Sequence, residues 1–224
     1  MALLIKICGL STPDALEASL EAGADMVGFV FFPPSPRHLD DRRAHALGRR
    51  VADRARKVAL TVNADDVLLA AIVDCLKPDL LQLHGHEPPE RVRAVKRRFG
   101  RPVIKAIPVG VPGDLHGLGA YTAVADYVLF DARPPRSATR PGGLGSAFDW
   151  RLLERLDPGV PFMLSGGLDP ENVARALSLT RPRGVDVSSG VERSTGEKDP
   201  DKIRAFIRAA RRALTPEDAA ARSA

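Results

Sequence analysis

The sequence predicts an α/β fold built as a single (β/α)8 TIM barrel. Three observations carry this. Short apolar runs alternate with longer amphipathic ones from end to end. The alternation repeats eight times in 224 residues, which suits a barrel near the small end of its size range. No glycine fingerprint follows the first apolar run, as it would in a doubly wound dinucleotide-binding sheet. Strict alternation also implies parallel strands, because parallel neighbours need a long crossover.

The first strand is read over Leu3–Cys8, and Ser11-Thr12-Pro13 supplies cap and first-turn chemistry for a helix over Thr12–Glu21 that Gly23 ends. Met26–Phe31 is the second strand, followed by a proline-stiffened loop and a helix over Asp40–Ala52. Lys57–Val62 and Asp65–Cys75 form the third unit, and Leu80–His84 and Pro88–Phe99 the fourth, with Gly100 as the helix stop. Val103–Val109 leads into a helix over Asp114–Thr122, and Tyr127–Asp131 is the sixth strand. The segment Arg133–Ala147 that follows is rich in Pro, Gly, Ser and Arg, so it reads as a long, functional loop before a helix over Asp149–Arg155. Phe162–Ser165 with Pro170–Leu179, and Gly184–Ser188 with Pro200–Leu214, complete the set. The barrel domain is expected over residues 1–214, and the small polar tail 215–224 is expected to fray.

At 44% hydrophobic residues the chain can bury a sizeable core. Cys8 and Cys75 have no CxxC partner, which argues for a reducing, cytoplasmic setting. The apolar start Met1–Ile5 is interrupted by Lys6 and Gly9 too early for a signal sequence, and no apolar run approaches membrane-spanning length. The net charge is +5, but the arginines of Asp40–Arg56 and Glu90–Arg98 interleave with Ala, Leu and Val, as on solvated helix faces. No helix-turn-helix, zinc-finger or stacking-aromatic pattern is present, so the expected partner is a small anionic molecule and not nucleic acid or a membrane. Monomer and homodimer both remain open.

Strand parity points to a site. Residues facing the helices should be apolar, so polar strand residues point into the barrel. Cys8, His84, Asp131 and Ser188 then share the inner C-terminal rim, where barrel enzymes place their chemistry. Lys6 and Asp186 are expected to pair deeper inside. Asp131 closes an apolar strand, a desolvated setting that lets a carboxyl act as an acid, although it could equally cap the next loop. A thiol at a helix start can have a lowered pKa and serve as base or nucleophile, although an isolated Cys is more often a small buried hydrophobe. The turns Ser165-Gly166-Gly167 and Ser188-Ser189-Gly190 end the seventh and eighth strands, the usual phosphate position in barrels. Gly143 and Gly145 in the long loop can close over a ligand. Arg37, behind Pro33-Pro34-Ser35-Pro36, suits bidentate carboxylate binding. His84, His86 and Glu87 fall short of a metal site, because no third imidazole is near.

Six ordered motifs resemble one family. They are Lys6-Ile7-Cys8-Gly9, Gly28-Phe29-Val30-Phe31 with Ser35-Pro36-Arg37, Leu81-Gln82-Leu83-His84-Gly85, Leu129-Phe130-Asp131, Ser165-Gly166-Gly167-Leu168 and Gly184-Val185-Asp186-Val187-Ser188-Ser189-Gly190-Val191-Glu192. Together they resemble phosphoribosylanthranilate isomerase of tryptophan biosynthesis, from Ile5 to about Ile207. The resemblance implies an Amadori rearrangement of N-(5-phosphoribosyl)anthranilate to 1-(2-carboxyphenylamino)-1-deoxyribulose 5-phosphate. It implies Asp131 as general acid, Cys8 as general base and Arg37 as holder of the anthranilate carboxylate. His84, Gly143, Gly145, Gly166, Gly167, Asp186, Ser188, Ser189 and Gly190 complete the expected substrate-binding set. No metal or cofactor is required, because the iminium formed on ring opening already acidifies the ribose C2 proton. A free thiol near pKa 8.5 then needs only a modest reduction to act near neutrality. The chain departs from the family where Gly142-Gly143-Leu144-Gly145-Ser146 stands in place of a common Gly-Gly-Thr-Gly-Lys, losing a hydroxyl and a cation. Rival readings are a histidine-pathway or bifunctional isomerase, which typically carries Asp where Cys8 stands, and a non-catalytic phosphosugar-binding barrel.

Overall fold

The structure is a computed structural model that describes residues 3–213 except 136, 139, 146 and 155. Eight parallel strands close into a barrel in sequence order: β1 (Leu4–Cys8), β2 (Met26–Phe31), β3 (Arg56–Thr61), β4 (Leu80–Leu83), β5 (Val103–Val109), β6 (Tyr127–Ala132), β7 (Phe162–Leu164) and β8 (Gly184–Val187). Closure is made by β1 against β8, with Lys6 opposite Asp186. Around the barrel run α1 (Pro13–Glu21), α2 (Asp41–Val51), α3 (Asp66–Leu76), α4 (Pro89–Phe99), α5 (Leu118–Thr122), α6 (Val173–Thr180) and α7 (Pro200–Arg212).

The helix starts follow from side-chain caps. Thr12, Asp40, Asp65 and Asp199 each accept from a backbone N–H in the first turn of α1, α2, α3 and α7. Three expected helices differ. The segment Asp114–Thr122 is split into a 3-10 turn over Pro112–Leu115 and the short α5. Gly113, Gly117 and Gly119 weaken it as a helix, and the Asp114 carboxylate accepts from Gly110 and Val111 to fold a turn instead. Among the described residues of the stretch expected as a helix over 149–155, a 3-10 turn over Trp150–Leu153 forms in place of an α-helix, ahead of the turn-forming Asp157-Pro158-Gly159. The start at Pro170 moves to Val173, because the Asp169 side chain turns the preceding residues by accepting from Glu171 and Asn172. An antiparallel hairpin of β9 (Glu192–Ser194) and β10 (Glu197–Lys198) was not anticipated; its turn is Thr195-Gly196. Leu214 and the expected frayed tail 215–224 lie outside the described residues.

Burial is layered. The main core lies between strands and helices, where Ile5, Ile7, Val27, Phe29, Phe130 and Val185 meet Leu16, Leu69, Ile72, Val92 and Phe206. Inside the barrel, Met26, Val58, Leu80, Ile104, Leu129 and Met163 plug the lower half. Above this plug the interior turns polar, with Lys6, Gln82 and Asp186 all buried. Cys8, Val30 and Leu60 form the next layer, at the mouth.

The N-terminal face shows a repeated device. Asp25, Asp79 and Asp126 each immediately precede an even-numbered strand and accept from a backbone N–H of the preceding odd strand. The bonds are 2.7 Å from Ile5, 2.7 Å from Lys57 and 2.8 Å from Val103. These carboxylates satisfy strand-start donors that no neighbouring strand reaches. This face therefore reads as stabilising, which leaves the opposite mouth for function.

Candidate active site

The C-terminal mouth holds a cavity of about 820 Å³, counting the part open to solvent, a size that suits a small ligand. Its wall includes Cys8, Arg37, His84, Asp131, Gly143, Gly145, Gly166, Gly167, Asp186, Ser188 and Ser189, so nearly every expected residue converges there. Gly190 is outside that wall. It sits where a Cβ would come 1.9 Å from the Leu168 carbonyl, so its bareness lets the loops after β7 and β8 pack together.

On the β1 and β8 side, the thiol of Cys8 is buried beside a bay left by Gly28, where a Cβ would stand 2.9 Å from Sγ and 3.1 Å from the Lys6 ammonium. Lys6, itself wholly buried, donates to Asp186 Oδ1 at 2.8 Å, as strand parity required. Burial works against the Lys6 charge, but Asp186 and Cys8 more than offset it and hold the ammonium above its usual pKa. The expected lowering of the Cys8 pKa is not what this setting gives. Burial pushes the thiol up, Lys6 pulls it down, Asp186 adds to the rise, and Lys198 again opposes it. The reason is local: α1 begins at Pro13, so no helix N-terminus reaches the sulfur, which sits inside the barrel.

Arg37 arrives on the loop after β2, with its own N–H tied to Ser35 Oγ at 3.2 Å. Its guanidinium is already engaged: Nε and Nη2 each reach Glu192, both at 2.7 Å. Nη2 also donates to the Gly143 carbonyl at 3.3 Å, and Nη1 lies on the side of Gly143. The fork expected to grip a substrate carboxylate is thus taken by Glu192, and Nη1 is the edge that remains toward the loop. Glu192 in turn accepts from Lys198 Nζ at 2.6 Å, and Lys198 donates to Ser188 O and Oγ at 2.9 and 3.1 Å. Ser188 Oγ donates to the Cys8 carbonyl at 3.1 Å, so the β9–β10 hairpin ties the anchor to the thiol strand. Burial favours neutral Glu192, but Arg37 and Lys198 overcome it and hold the carboxyl down to about 2. Burial pulls Lys198 down to about 8, against the attraction of Glu192.

On the β4 and β6 side stand a carboxyl, an imidazole and an amide. Asp131 Oδ1 accepts from the Ala132 N–H at 2.9 Å, and Oδ2 lies 3.1 Å from His84 Nε2. His84 Nδ1 lies 2.9 Å from Nε2 of the buried Gln82. The loop carrying His84 is braced from behind by Glu87, which accepts from Asn63 and Gly85 and pairs with Lys105 at 2.8 Å. That engagement removes Glu87 from any role beside His84 and His86, and no cluster of metal-ligating side chains exists among the described residues.

The two turns expected to seat a phosphate both lie at the mouth. Gly166 and Gly167 take φ of +84° and +69°, a region that side-chain-bearing residues rarely adopt, and Ser188 leads into a 3-10 turn over Ser189–Val191. The long loop spans all three corners of the mouth. A Cβ on Gly142 would fall 2.6 Å from Asp131 Oδ2 and 2.7 Å from His84 Nε2; one on Gly143, 2.8 Å from Arg37 Nη1; one on Gly145, 3.7 Å from Ser189 Oγ. Leu144 lines the cavity where the family often has a hydroxyl, while Ser146 lies outside the described residues.

Sequence reasoning assigned no role to Glu192, Lys198, Gln82 or Arg140. Arg140 also lines the cavity and donates to the Gly143 carbonyl at 3.4 Å, which brings a second guanidinium to the Arg37 corner. Gln82 shares the strand parity of His84, a signal that points it inward. Glu192 and Lys198 carried no such signal, because the short hairpin that buries them is invisible to periodicity.

The family model for N-(5′-phosphoribosyl)anthranilate (PRA) isomerase matches residues 5–209. The chain is 66% identical to N-(5′-phosphoribosyl)anthranilate isomerase of Rhodopseudomonas palustris CGA009 over 213 residues, covering 95% of this chain and all of that one. It is 64% identical to the enzyme of the same name from Bradyrhizobium diazoefficiens USDA 110, covering 94% and 95%. The crystal structure of phosphoribosyl anthranilate isomerase from Thermotoga maritima superposes with a TM-score of 0.84 at 36% identity, covering 93% and 98%. A phosphoribosyl anthranilate isomerase in complex with reduced 1-(o-carboxyphenylamino)-1-deoxyribulose 5-phosphate superposes with a TM-score of 0.80 at 34% identity, over the same shares. The chain belongs to the N-(5′-phosphoribosyl)anthranilate isomerase family, the isomerases of tryptophan biosynthesis.

Proposed function

We propose that this chain carries out the family's rearrangement with Asp131 as general acid and Cys8 as general base. The observation that supports it is the opposition of a carboxyl on β6 and a thiol on β1 across one cavity, with a cationic corner and a glycine-turn seat on its wall. N-(5-phosphoribosyl)anthranilate carries a phosphate and a carboxylate. The phosphate would sit on the turns Ser165-Gly166-Gly167 and Ser188-Ser189, and the carboxylate at the free edge of Arg37, with Arg140 close by. Asp131 gives its proton to the ribose ring oxygen, the C1–O bond breaks, and the nitrogen lone pair forms the protonated Schiff base. Cys8, as thiolate, removes the C2 proton. The electron pair of that bond neutralises the iminium and leaves an enolamine, which tautomerises to the ketone. The raised pKa of the buried thiol sets a requirement here. The cations beside it, Lys6 and Lys198, must be joined by the positive iminium before the thiolate is favoured. The thiolate population is then greatest after the acid step, which orders the two proton transfers.

Asp186 acts through Lys6, and Gly190 acts by packing the seat. The substrate is a small phosphorylated molecule, with no nucleic-acid or membrane partner. No helix among the described residues is long and apolar enough to cross a membrane, and the free thiols of Cys8 and Cys75 favour a reducing, cytoplasmic setting. Monomer and homodimer both fit the chain; the Thermotoga maritima relative is a dimer of which monomers have also been generated. The test is to follow consumption of N-(5-phosphoribosyl)anthranilate by purified protein in a coupled assay. Turnover that collapses in both Cys8→Ala and Asp131→Asn, with the fold intact, supports the assignment; near-normal turnover in either variant overturns it.

A further inference from the structure

Gln82 belongs to no step of the mechanism, yet it is wholly buried in the polar layer of the barrel and ends on His84. An amide in that position determines which imidazole nitrogen carries the proton. Its two orientations are not equivalent. With Nε2 toward Nδ1, the amide donates, Nδ1 accepts, and Nε2–H of His84 points at Asp131 Oδ2. The group left over is Gln82 Oε1, a buried carbonyl oxygen without a partner. Reversing the amide would place an NH2 in that same partnerless spot. Buried N–H groups go unpaired more rarely than carbonyl oxygens do, so the first orientation is favoured.

We propose that Gln82 is a positioning residue that holds His84 as the Nε2–H tautomer, so that His84 donates to Asp131 as that carboxyl gives up its proton. The inference rests on Asp131 being the acid. When the Asp131 proton passes to the ribose ring oxygen and the C1–O bond breaks, negative charge appears on the Asp131 carboxylate. Oδ1 already accepts from the Ala132 N–H, and Oδ2 accepts from His84. The two donors are in place before the charge develops, which lowers the barrier without any reorganisation. His84 keeps its own proton throughout, so the chain Gln82–His84–Asp131 is a brace and carries no proton. Gly142 lies against the His84–Asp131 contact from the loop side.

Nitrogen-15 NMR of the intact wild-type protein, with His84 assigned through a His84→Gln control, reads the tautomer directly. A protonated Nε2 with an unprotonated Nδ1 supports the proposal. An Nδ1–H tautomer, or an imidazolium, overturns it, whatever the activity of any variant. The second measurement is a kinetic cycle. Gln82→Met, which keeps the volume and removes the donor, is expected to mix the His84 tautomers and lower kcat about tenfold while KM changes little. In a His84→Gln background the same substitution is expected to change kcat less than about twofold, because its only route of action is gone. Equal losses in both backgrounds would show Gln82 acting through packing and would overturn the proposal. Loss of the acid assignment would instead show as normal turnover in Asp131→Asn, with the His84 tautomer unaffected.

Discussion

The two sides of the barrel mouth are built from opposite materials. Around Cys8 the barrel gathers Lys6, Lys198 and Arg37, each with a buried carboxylate partner in Asp186 or Glu192. Around Asp131 the contacts are a backbone N–H and an imidazole, with an amide behind the imidazole. Burial, with the Asp186 carboxylate, outweighs the pull of Lys6 and Lys198 toward a negative sulfur and leaves the thiol pKa raised. The proposed acid has a hydrogen-bond partner on each of its carboxyl oxygens. The proposed acid and the proposed base thus stand a few strands apart in different surroundings.

Several substitutions would break or sharpen this contrast. The largest loss should follow removal of either reacting group: Cys8→Ala and Asp131→Asn are each expected to lower kcat by about 10³-fold or more in steady-state assays, with unchanged circular dichroism. Next is the cationic corner. Glu192→Ala removes the carboxylate between Arg37 and Lys198 and leaves two buried cations together, which should cost about 3–5 kcal/mol in urea unfolding and raise KM for the carboxylate-bearing substrate.

The same carboxylate makes a pH prediction. Its pKa is near 2 in the fold and higher when unfolded, so its stabilisation is complete above about pH 4.5 and is lost as the pH falls toward 2. Glu192→Gln should remove most of that slope between pH 4.5 and 2, a contribution of about 2 kcal/mol once solvent screening is allowed for, read as urea midpoints at each pH. The Asp131 side is tested through its cover. A methyl at Gly142 would meet Asp131 Oδ2 at 2.6 Å, so Gly142→Ala should hold the loop open and lower kcat/KM about tenfold with little change in stability. The smallest effect belongs to the opposite face. Asp79→Ala releases the Lys57 N–H and should cost about 1 kcal/mol without touching kcat.

Much of this was legible in the chain itself, for physical reasons that also mark where legibility ends. Eight strands and five helices fall within a few residues of where periodicity and caps place them, because each buries a face and starts at a Thr or Asp cap or at a proline. Parity alone put Lys6 against Asp186 and sent Cys8, His84, Asp131 and Ser188 to one rim. The glycine-broken stretch before α5 and the short turn at Trp150 failed because marginal helices depend on context more than on pattern. The thiol failed differently. Its pKa is decided by depth in the barrel and by cations from β1 and the β9–β10 hairpin, none of which is adjacent in sequence to Cys8 except Lys6. Arg37 was placed at the right corner, but its partner Glu192 lies 155 residues away, and that long-range pair leaves only one edge of the guanidinium for a ligand.

The most direct test of the contrast between the two sides uses substrate carrying deuterium at the ribose C2, in single turnovers. Cys8→Ser weakens the base and should make C2–H cleavage limiting, so a primary isotope effect should appear. Asp131→Asn disables the acid and should make ring opening limiting, so the effect should be absent. An isotope effect in Asp131→Asn, or none in Cys8→Ser, would contradict the assignment of acid to one side of the mouth and base to the other.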